Sequence, residues 1–358
     1  MTALQLSLPD MILKKRVLVL LYSQTGQLSD VVEQMLAPLK ADPAIEVSVH
    51  ALRPVKPFPY PWPFFPFMDA FPESALMRPC AMEPLDIAED ASFDLVILPY
   101  QVWYLAPSLP VMSFLKSEQA ARLLKGKPVV TVIACRNMWL MAQEKVKGLL
   151  LDVGAKLTDN VALTDLSPTL ATLITTPRWL WFGKKAGFWG LPPAGLTSDQ
   201  VSGSRRFGRA LCEALRKDEE QTGAPMLSGL EAVQANPHLL VSERAGTHSF
   251  RIWGGWISAL GAPGAPQRKP LLATYTAFLI LLIITVVPIS LAVQALLRPF
   301  MSKRFAKLKT EFELPSGSSG ERMAMFSDAA EALLPTSNAA SKSGSLLEEE
   351  QPHAHPLI

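Results

Sequence analysis

The sequence predicts an α/β fold in which five parallel strands form a doubly wound sheet, followed by a C-terminal transmembrane helix. The first observation is that short apolar segments of strand type alternate with helix-type segments over the first 220 residues. The second is a segment without any charged residue, 271–297, which is long enough to cross a bilayer core of roughly 30 Å. Pro288 would kink this helix, which membrane helices tolerate, and a buried core helix is the alternative.

The alternation gives a definite series of elements. The predicted strands are 16–22, 45–49, 93–98, 127–134 and 156–163, and the predicted helices start near Leu28 and span 109–124, 143–153 and 198–219. Five strands of this order and size favour a flavodoxin-like sheet. Such a sheet binds its ligand beyond the carboxyl ends of the strands.

Domain boundaries follow from these elements and from shifts in composition. We expect an N-terminal extension (1–15), a flavodoxin-like domain (16–220) with insertions at about 52–91 and 167–197, a connecting region (221–270), the membrane helix (271–297), and a basic juxtamembrane segment with a disordered tail (298–358).

Composition and charge exclude several classes of protein. The formal net charge is +2 and no long basic block is present, so no nucleic-acid partner is predicted. The widely spaced Cys80, Cys135 and Cys212 fit neither a disulfide framework nor a zinc site, which favours a reducing compartment. No metal site is predicted, because His353 and His355 have no further ligands beside them.

Both insertions are rich in aromatic residues. The first contains KPFPYPWPFFPFMDAFPES (56–74), where closely spaced prolines disfavour a helix and remove the donors that a strand ladder needs. Its rings would wall an apolar tunnel, lie against lipid, or form a packed surface flap. The second combines tryptophan and phenylalanine with Arg178, Lys184 and Lys185, a composition typical of elements at a membrane interface.

A polar loop between the first strand and the first helix predicts a phosphate site. In Ser23-Gln24-Thr25-Gly26-Gln27, backbone N–H groups and hydroxyls converge at a helix start, where the helix dipole favours an anion. The loop has neither the Gly-x-x-x-x-Gly-Lys pattern of triphosphate loops nor the Gly-x-Gly-x-x-Gly of dinucleotide folds. An ordinary polar turn is the alternative.

This loop resembles the Ser/Thr-x-Thr-Gly-x-Thr phosphate loop of flavodoxins, which binds the FMN phosphate. Ser23, Thr25 and Gly26 match, whereas Leu28 stands at the last hydroxyl position. The resemblance implies FMN as cofactor, an aromatic residue of the loop after the third strand stacked on the flavin, and a fourth-strand loop at its reactive edge. The cofactor-binding residues so implied are Ser23, Gln24, Thr25, Gly26, Gln27, Pro99, Tyr100, Gln101, Trp103, Tyr104, Cys135, Asn137, Met138 and Trp139.

Longer motifs indicate a narrower family. YSQTGQL (22–28), PFMDAFPES (66–74), WYLAPSLP (103–110), TTPRWLWFGKK (175–185) and SRRFG (204–208) together resemble proteins labelled dialkylresorcinol condensing enzymes, which are understood as flavin-dependent aromatases. The resemblance implies a lipidic substrate, a dialkyl-cyclohexanedione supplied by a ketosynthase-like partner. The ring would lose a hydride to the flavin and a proton to a base, and then enolise to a dialkylresorcinol.

Catalytic candidates are fewer. Tyr100 would exchange a proton, Asn137 would hydrogen-bond a carbonyl or the flavin, and Arg136 would stabilise an enolate. Weaker candidates are Arg205, Arg206 and His248.

Other functions remain open on the sequence. A membrane-tethered electron carrier, an NAD(P)H-dependent quinone or FMN reductase, and a scaffold that has lost its flavin all fit the same fold. For location, we expect a single membrane anchor with the flavin domain in the cytoplasm. Basic residues after the helix favour a cytoplasmic tail as well, so the alternative is a segment that dips in at Pro288 and returns.

Overall fold

Five parallel strands form the central sheet. In the computed structural model, which describes the backbone of residues 14–328 and the side chains of 14–285 and 302–328, the strands are β1 Lys15–Leu21, β2 Ile45–Ala51, β3 Leu95–Tyr100, β6 Pro128–Cys135 and β7 Lys156–Thr164. A short antiparallel pair lies between β3 and β6, formed by β4 Val102–Trp103 and β5 Ala106–Pro107.

The order of the strands defines the fold. Across the sheet it is β2-β1-β3-β6-β7, with every neighbouring pair parallel. This is the flavodoxin-like doubly wound order, with a crossover at β1 and β3. The predicted fold class is confirmed.

Helices cover both faces of the sheet. Their bounds are α1 Gln27–Ala41, α2 Phe64–Asp69, α3 Phe71–Ala75, α4 Leu109–Leu115, α5 Glu118–Leu124, α6 Leu140–Asp152, α7 Thr169–Phe182, α8 Ser198–Gly203, α9 Arg205–Arg216, α10 Leu240–Ala259 and α11 Arg268–Glu313. Because of this cover all six residues of β3 are buried, as expected for an inner parallel strand. At Gly208, α9 approaches α1 so closely that a Cβ would lie 1.9 Å from the Met35 carbonyl oxygen.

Several elements differ from the predictions for local reasons. The predicted helix 109–124 is two helices, because Ser117 caps the start of α5 by accepting a hydrogen bond from the Ala120 N–H (3.1 Å). The predicted helix 198–219 likewise divides at Ser204. The proline-rich stretch does contain helices, α2 and α3, since Pro66 and Pro72 lie in first turns, where no N–H is needed, and the other prolines precede α2.

The C-terminal part is more ordered than expected. Region 221–270 contains α10, and the residues after α11 continue as an ordered segment as far as Asp328. The N-terminal extension up to residue 13 and the tail from 329 lie outside the described residues.

α11 contains the predicted apolar segment. Within the described residues it is the one helix long and apolar enough to cross a membrane, judged by length and composition alone. Its window Arg268–Thr285 has a mean hydropathy of 1.4 and is 17% buried. Core helices of soluble proteins can have the same length and composition.

Candidate functional site

A cavity of about 280 Å³ lies at the carboxyl-terminal edge of the sheet, where the loops after β1, β3 and β6 meet. This is the edge at which doubly wound folds bind ligands. Its volume is near the lower limit for ligand pockets in proteins. It is lined by Gln24, Thr25, Gln27, Leu28, Trp62, Phe67, Gln101, Val102, Trp103, Tyr104, Ala134, Cys135, Arg136, Asp165, Thr176, Trp179, Leu180 and Gly195.

The loop after β1 has the features of an anion site. Gly26 adopts a left-handed conformation (φ 85°) immediately before α1, and no side chain among the described residues caps that helix. The Ser23 hydroxyl is buried, and among the described residues it has no hydrogen-bond partner. A buried hydroxyl without a partner is costly, and a phosphate at an uncapped helix start would satisfy it.

Gln24 joins this loop to its neighbours. Its backbone N–H donates to Gln101 Oε1 (3.2 Å) and its side-chain amide donates to the Pro59 carbonyl (2.5 Å). The loops after β1 and β3 and the proline-rich stretch are therefore held as one unit around the cavity.

Aromatic rings from both insertions, together with Trp103, line the apolar side of the cavity. Trp62 packs 4.7 Å from Trp103 and 5.2 Å from Phe67, measured between ring centroids. Trp62 also donates its backbone N–H to the Leu180 carbonyl (2.9 Å), which ties this stretch to α7, the helix that contributes Trp179. We call the set Trp62, Phe67, Trp103 and Trp179 the aromatic roof. These rings would exclude water from the side of a ligand that packs against them.

The charged groups of the cavity come from the loop after β6 and the end of β7. The Asp165 carboxylate accepts backbone hydrogen bonds from Gly195 and Ser167, each 2.8 Å. Burial lowers the pKa of the Arg136 guanidinium, while the nearby Cys135 and Asp165 raise it. Burial raises the pKa of the Cys135 thiol well above its usual value, which keeps this thiol protonated.

The structure brings together most, not all, of the residues that the sequence singled out. The predicted residues that line the cavity are Gln24, Thr25, Gln27, Gln101, Trp103, Tyr104, Cys135 and Arg136, and those that do not are Ser23, Gly26, Pro99, Tyr100, Asn137, Met138 and Trp139. Ser23 and Gly26 nevertheless belong to the phosphate loop itself.

Tyr100 is placed in the core. Its side chain is fully buried, and its hydroxyl donates to Gln143 Oε1 of α6 (2.6 Å), so it does not face the cavity. Burial raises its pKa well above the usual value, which disfavours proton exchange. Trp139 is also a core residue, and the buried Asn137 Oδ1 has no partner among the described residues.

The weaker candidates lie elsewhere. His248 is exposed on α10. Arg206 donates to the carbonyls of Leu230 (3.0 Å) and Gly203 (2.6 Å), a structural role at the start of α9, where Arg205 also lies. His353 and His355 fall outside the described residues.

Among the cavity-lining residues that the sequence analysis missed are Trp62, Phe67, Asp165, Thr176 and Trp179. Asp165 follows β7 directly, so the rule that ligands lie beyond strand ends contained the signal for it. The others come from the two insertions, and no local pattern indicates which of their rings turn inward.

Comparisons with known proteins extend to the fold alone. No protein-family profile and no curated protein matches the chain. It is similar to a flavodoxin from the domain Archaea, with 12% identity, a TM-score of 0.32 and coverage of 56% of this chain and 99% of the flavodoxin. It is also similar to Flavodoxin 1 from Bacillus cereus, with 14% identity and a TM-score of 0.31. That match covers 56% of this chain and 98% of Flavodoxin 1.

A third solved structure is a flavoprotein from Lactobacillus acidophilus NCFM in complex with FMN. It is 12% identical to this chain, with a TM-score of 0.33 and coverage of 41% of this chain and 91% of that protein. At such low identities and TM-scores, the fold assignment rests on the strand order of this chain's own sheet. By that order the chain is a flavodoxin-like α/β protein.

Proposed function

We propose that the chain binds FMN and is a membrane-associated flavin-dependent oxidoreductase that aromatises a dialkyl-cyclohexanedione to a dialkylresorcinol. The observation that carries the proposal is the buried, unpartnered Ser23 hydroxyl at the uncapped start of α1, beside a roofed cavity at the ligand edge of the sheet. A polar atom in that position calls for an anionic ligand.

The residues present fit the cofactor. Ser23, Thr25 and the backbone at Gly26 would hold the FMN phosphate, and Gln101 and Trp103 would border the ring system. Gly26 has no heavy atom within 4 Å of the position where a Cβ would stand, so the backbone there is open to a ligand. A bound flavin supplies an acceptor for a hydride equivalent.

The chain's own groups have separate tasks in this proposal. Conversion of the cyclohexanedione to a resorcinol removes one hydride and one proton from the ring. The aromatic roof would hold the ring and exclude water. Arg136 would stabilise the negative charge that develops on a ring oxygen, and Asp165, whose backbone hydrogen bonds fix it at the cavity wall, would take the proton.

The surface supports a lipidic substrate. α7 contributes Trp179 to the cavity, while it exposes Leu170, Ile174 and Phe182 on another face. These exposed side chains, together with the apolar α11, support entry of an alkylated substrate from an apolar surface. The substrate would be formed by a ketosynthase-like partner enzyme.

An electron carrier is the main rival. A carrier exposes its flavin edge to a protein partner, and the aromatic roof weighs against that arrangement. An NAD(P)H-dependent quinone or FMN reductase would use the same cavity and is distinguished by its substrates.

The first test is the absorption spectrum of detergent-purified protein, with chromatography of any released chromophore. We expect stoichiometric FMN with peaks shifted from those of free flavin, and bleaching when a dialkyl-cyclohexanedione is added without oxygen. Bleaching by NAD(P)H alone would favour the reductase. A colourless protein that does not take up added FMN would refute flavin binding.

A further inference from the structure

We propose that α11 is a monotopic anchor, inserted into one leaflet from the side on which the flavodoxin-like domain lies, and does not cross the bilayer. The inference rests on the membrane association proposed above and specifies its form. It comes from the contacts at the two ends of the helix, which attach both ends to the same folded domain.

The start of α11 is fixed by a buried ion pair. Arg268, the first residue of the helix, is fully buried, with its Nε 3.1 Å from an Asp69 oxygen and its Nη2 3.0 Å from a Glu73 oxygen. Two turns further on, the Tyr275 ring stacks on Phe71 at 4.5 Å with 9° between the planes. Removing one member of a buried ion pair is costly, so this end does not detach readily.

The end of α11 is fixed to the same domain. The Phe305 ring lies 4.2 Å from the His238 ring, just before α10. Phe312 is buried in the main hydrophobic core, and Glu313 Oε1 accepts a hydrogen bond from the Ala235 N–H (3.1 Å).

The chain beyond α11 is part of the domain as well. Ser316 donates its hydroxyl to Asp159 of β7 (2.8 Å), and the Gly317 carbonyl accepts from the Val233 N–H (3.2 Å). Val233 in turn forms a parallel bridge with Ala162 of β7. The segment after α11 therefore packs beside β7, at the edge of the sheet.

These contacts are incompatible with a span. The run 271–297, helical throughout, is about 40 Å long at 1.5 Å per residue, enough to cross the roughly 30 Å of hydrocarbon. A crossing would place Tyr275 and Phe305 on opposite sides of the membrane. Both residues contact one domain, whose sheet and polar loops cannot lie in hydrocarbon.

The exposed side of α11 has the chemistry of a lipid contact. Ile280, Leu281 and Ile284 form one stripe and are 52%, 61% and 65% exposed. Further along the helix, Lys303 and Arg304 are exposed and would meet anionic headgroups.

α2 packs against both α11 and α7. Its Met68 packs with α11, and its Phe64 lies 5.2 Å from the Trp181 ring of α7. Exposed apolar side chains on α7 extend the surface as far as the helix that supplies Trp179 to the roof. One leaflet would therefore contact the anchor and the rim of the cavity together.

The test places an epitope tag before Met1 and a different tag after Ile358 of the full chain in a bacterial host. We expect the protein in the membrane fraction, with both tags protected in spheroplasts and both cleaved in inverted vesicles. Cleavage of only the C-terminal tag in spheroplasts would mean a crossing and would overturn the inference. Recovery in the soluble fraction would overturn it together with membrane association, whereas FMN content reports on the cofactor separately.

A variant pair tests the lipid-facing stripe. Ile284→Lys should weaken flotation of the purified protein with anionic phospholipid vesicles by roughly tenfold, since an apolar side chain loses its burial. Val49→Lys makes the same change at an exposed position of β2 and should leave flotation unchanged. A cooperative urea-unfolding transition of each variant shows that it is folded. Equal flotation of both variants would exclude α11 as the membrane contact.

Discussion

Ser23 is the residue on which the proposed cofactor site most directly depends. Its hydroxyl is buried without a partner among the described residues, next to Gln24 and Thr25, which line the cavity, and three residues before the left-handed Gly26. A buried hydroxyl without a partner has lost its hydrogen bonds to water, which costs free energy. Under the proposed function, a bound phosphate would supply the missing hydrogen-bond partner.

Replacing this hydroxyl should weaken FMN binding. We expect Ser23→Ala to raise the Kd for FMN by roughly 10- to 100-fold, because a hydrogen bond to a charged group contributes about 1.5–3 kcal/mol. Fluorescence titration of the apoprotein with FMN measures the change. Ser202→Ala, at an exposed serine of α8, is the matched control. An unchanged Kd for Ser23→Ala would remove the hydroxyl from the phosphate site.

At the scale of elements, the segment after α11 is notable because it completes the β7 side of the domain. Asp159 of β7 accepts hydrogen bonds from the backbone N–H groups of Met226 and Leu227 (2.9 Å each) and from the Ser316 hydroxyl (2.8 Å). One buried carboxylate thereby links three segments that are far apart in sequence. Phe326 then packs into the main core, with its carbonyl held by Arg209 Nη1 (2.7 Å).

Truncation of Phe326 should destabilise the whole flavodoxin-like domain. We expect Phe326→Ala to lower the free energy of unfolding by about 3 kcal/mol, because a buried aromatic ring leaves a cavity. Urea unfolding followed by tryptophan fluorescence measures it. Met325→Ala removes a neighbouring side chain that is 62% exposed and should change stability little. Equal effects of the two variants would mean that this segment does not stabilise the domain.

For the whole molecule, Glu243 is the buried side chain that links α10 to the start of α6. The carboxylate is fully buried and accepts hydrogen bonds from the N–H groups of Met141 (2.7 Å) and Leu140 (3.3 Å) at the start of α6. Burial raises its pKa from the usual 4.5 to about 7, although these hydrogen bonds act in the opposite direction. Burial likewise raises the pKa of Asp159 to about 6.

These pKa shifts give a pH dependence of stability with a definite sign. The folded state holds the Glu243 proton more tightly than the unfolded state, so its contribution is fully present below about pH 4.5 and is lost as the pH rises through about 7. Relative to Glu243→Gln, the wild type should therefore lose roughly 3 kcal/mol between those limits. Urea unfolding at several pH values gives this difference.

An exposed position provides the control for this pH series. Glu33→Gln, at an exposed position of α1, makes the same chemical change on the surface. A difference between the wild type and Glu243→Gln that is constant with pH, or that grows in favour of the wild type as the pH rises, would contradict the predicted titration.

Sequence alone determined the sheet and the edge at which a ligand site forms. The periodicity of strands and helices is a local property of the sequence. Because the carboxyl ends of parallel strands lie at the same edge of the sheet, the loops at Ser23, Gln101 and Arg136 were predictable. The same rule would have included Asp165, which follows the last strand.

Only the tertiary structure decided which side chains serve that site. Neighbouring residues at a strand end point in different directions, so Tyr100 turns into the core towards Gln143 while Gln101 lines the cavity. The contact of Ser316 with Asp159 joins residues 157 positions apart. No local pattern encodes such a contact, because its stability comes from burial and hydrogen bonds that exist only after the sheet, α10 and α11 have packed together.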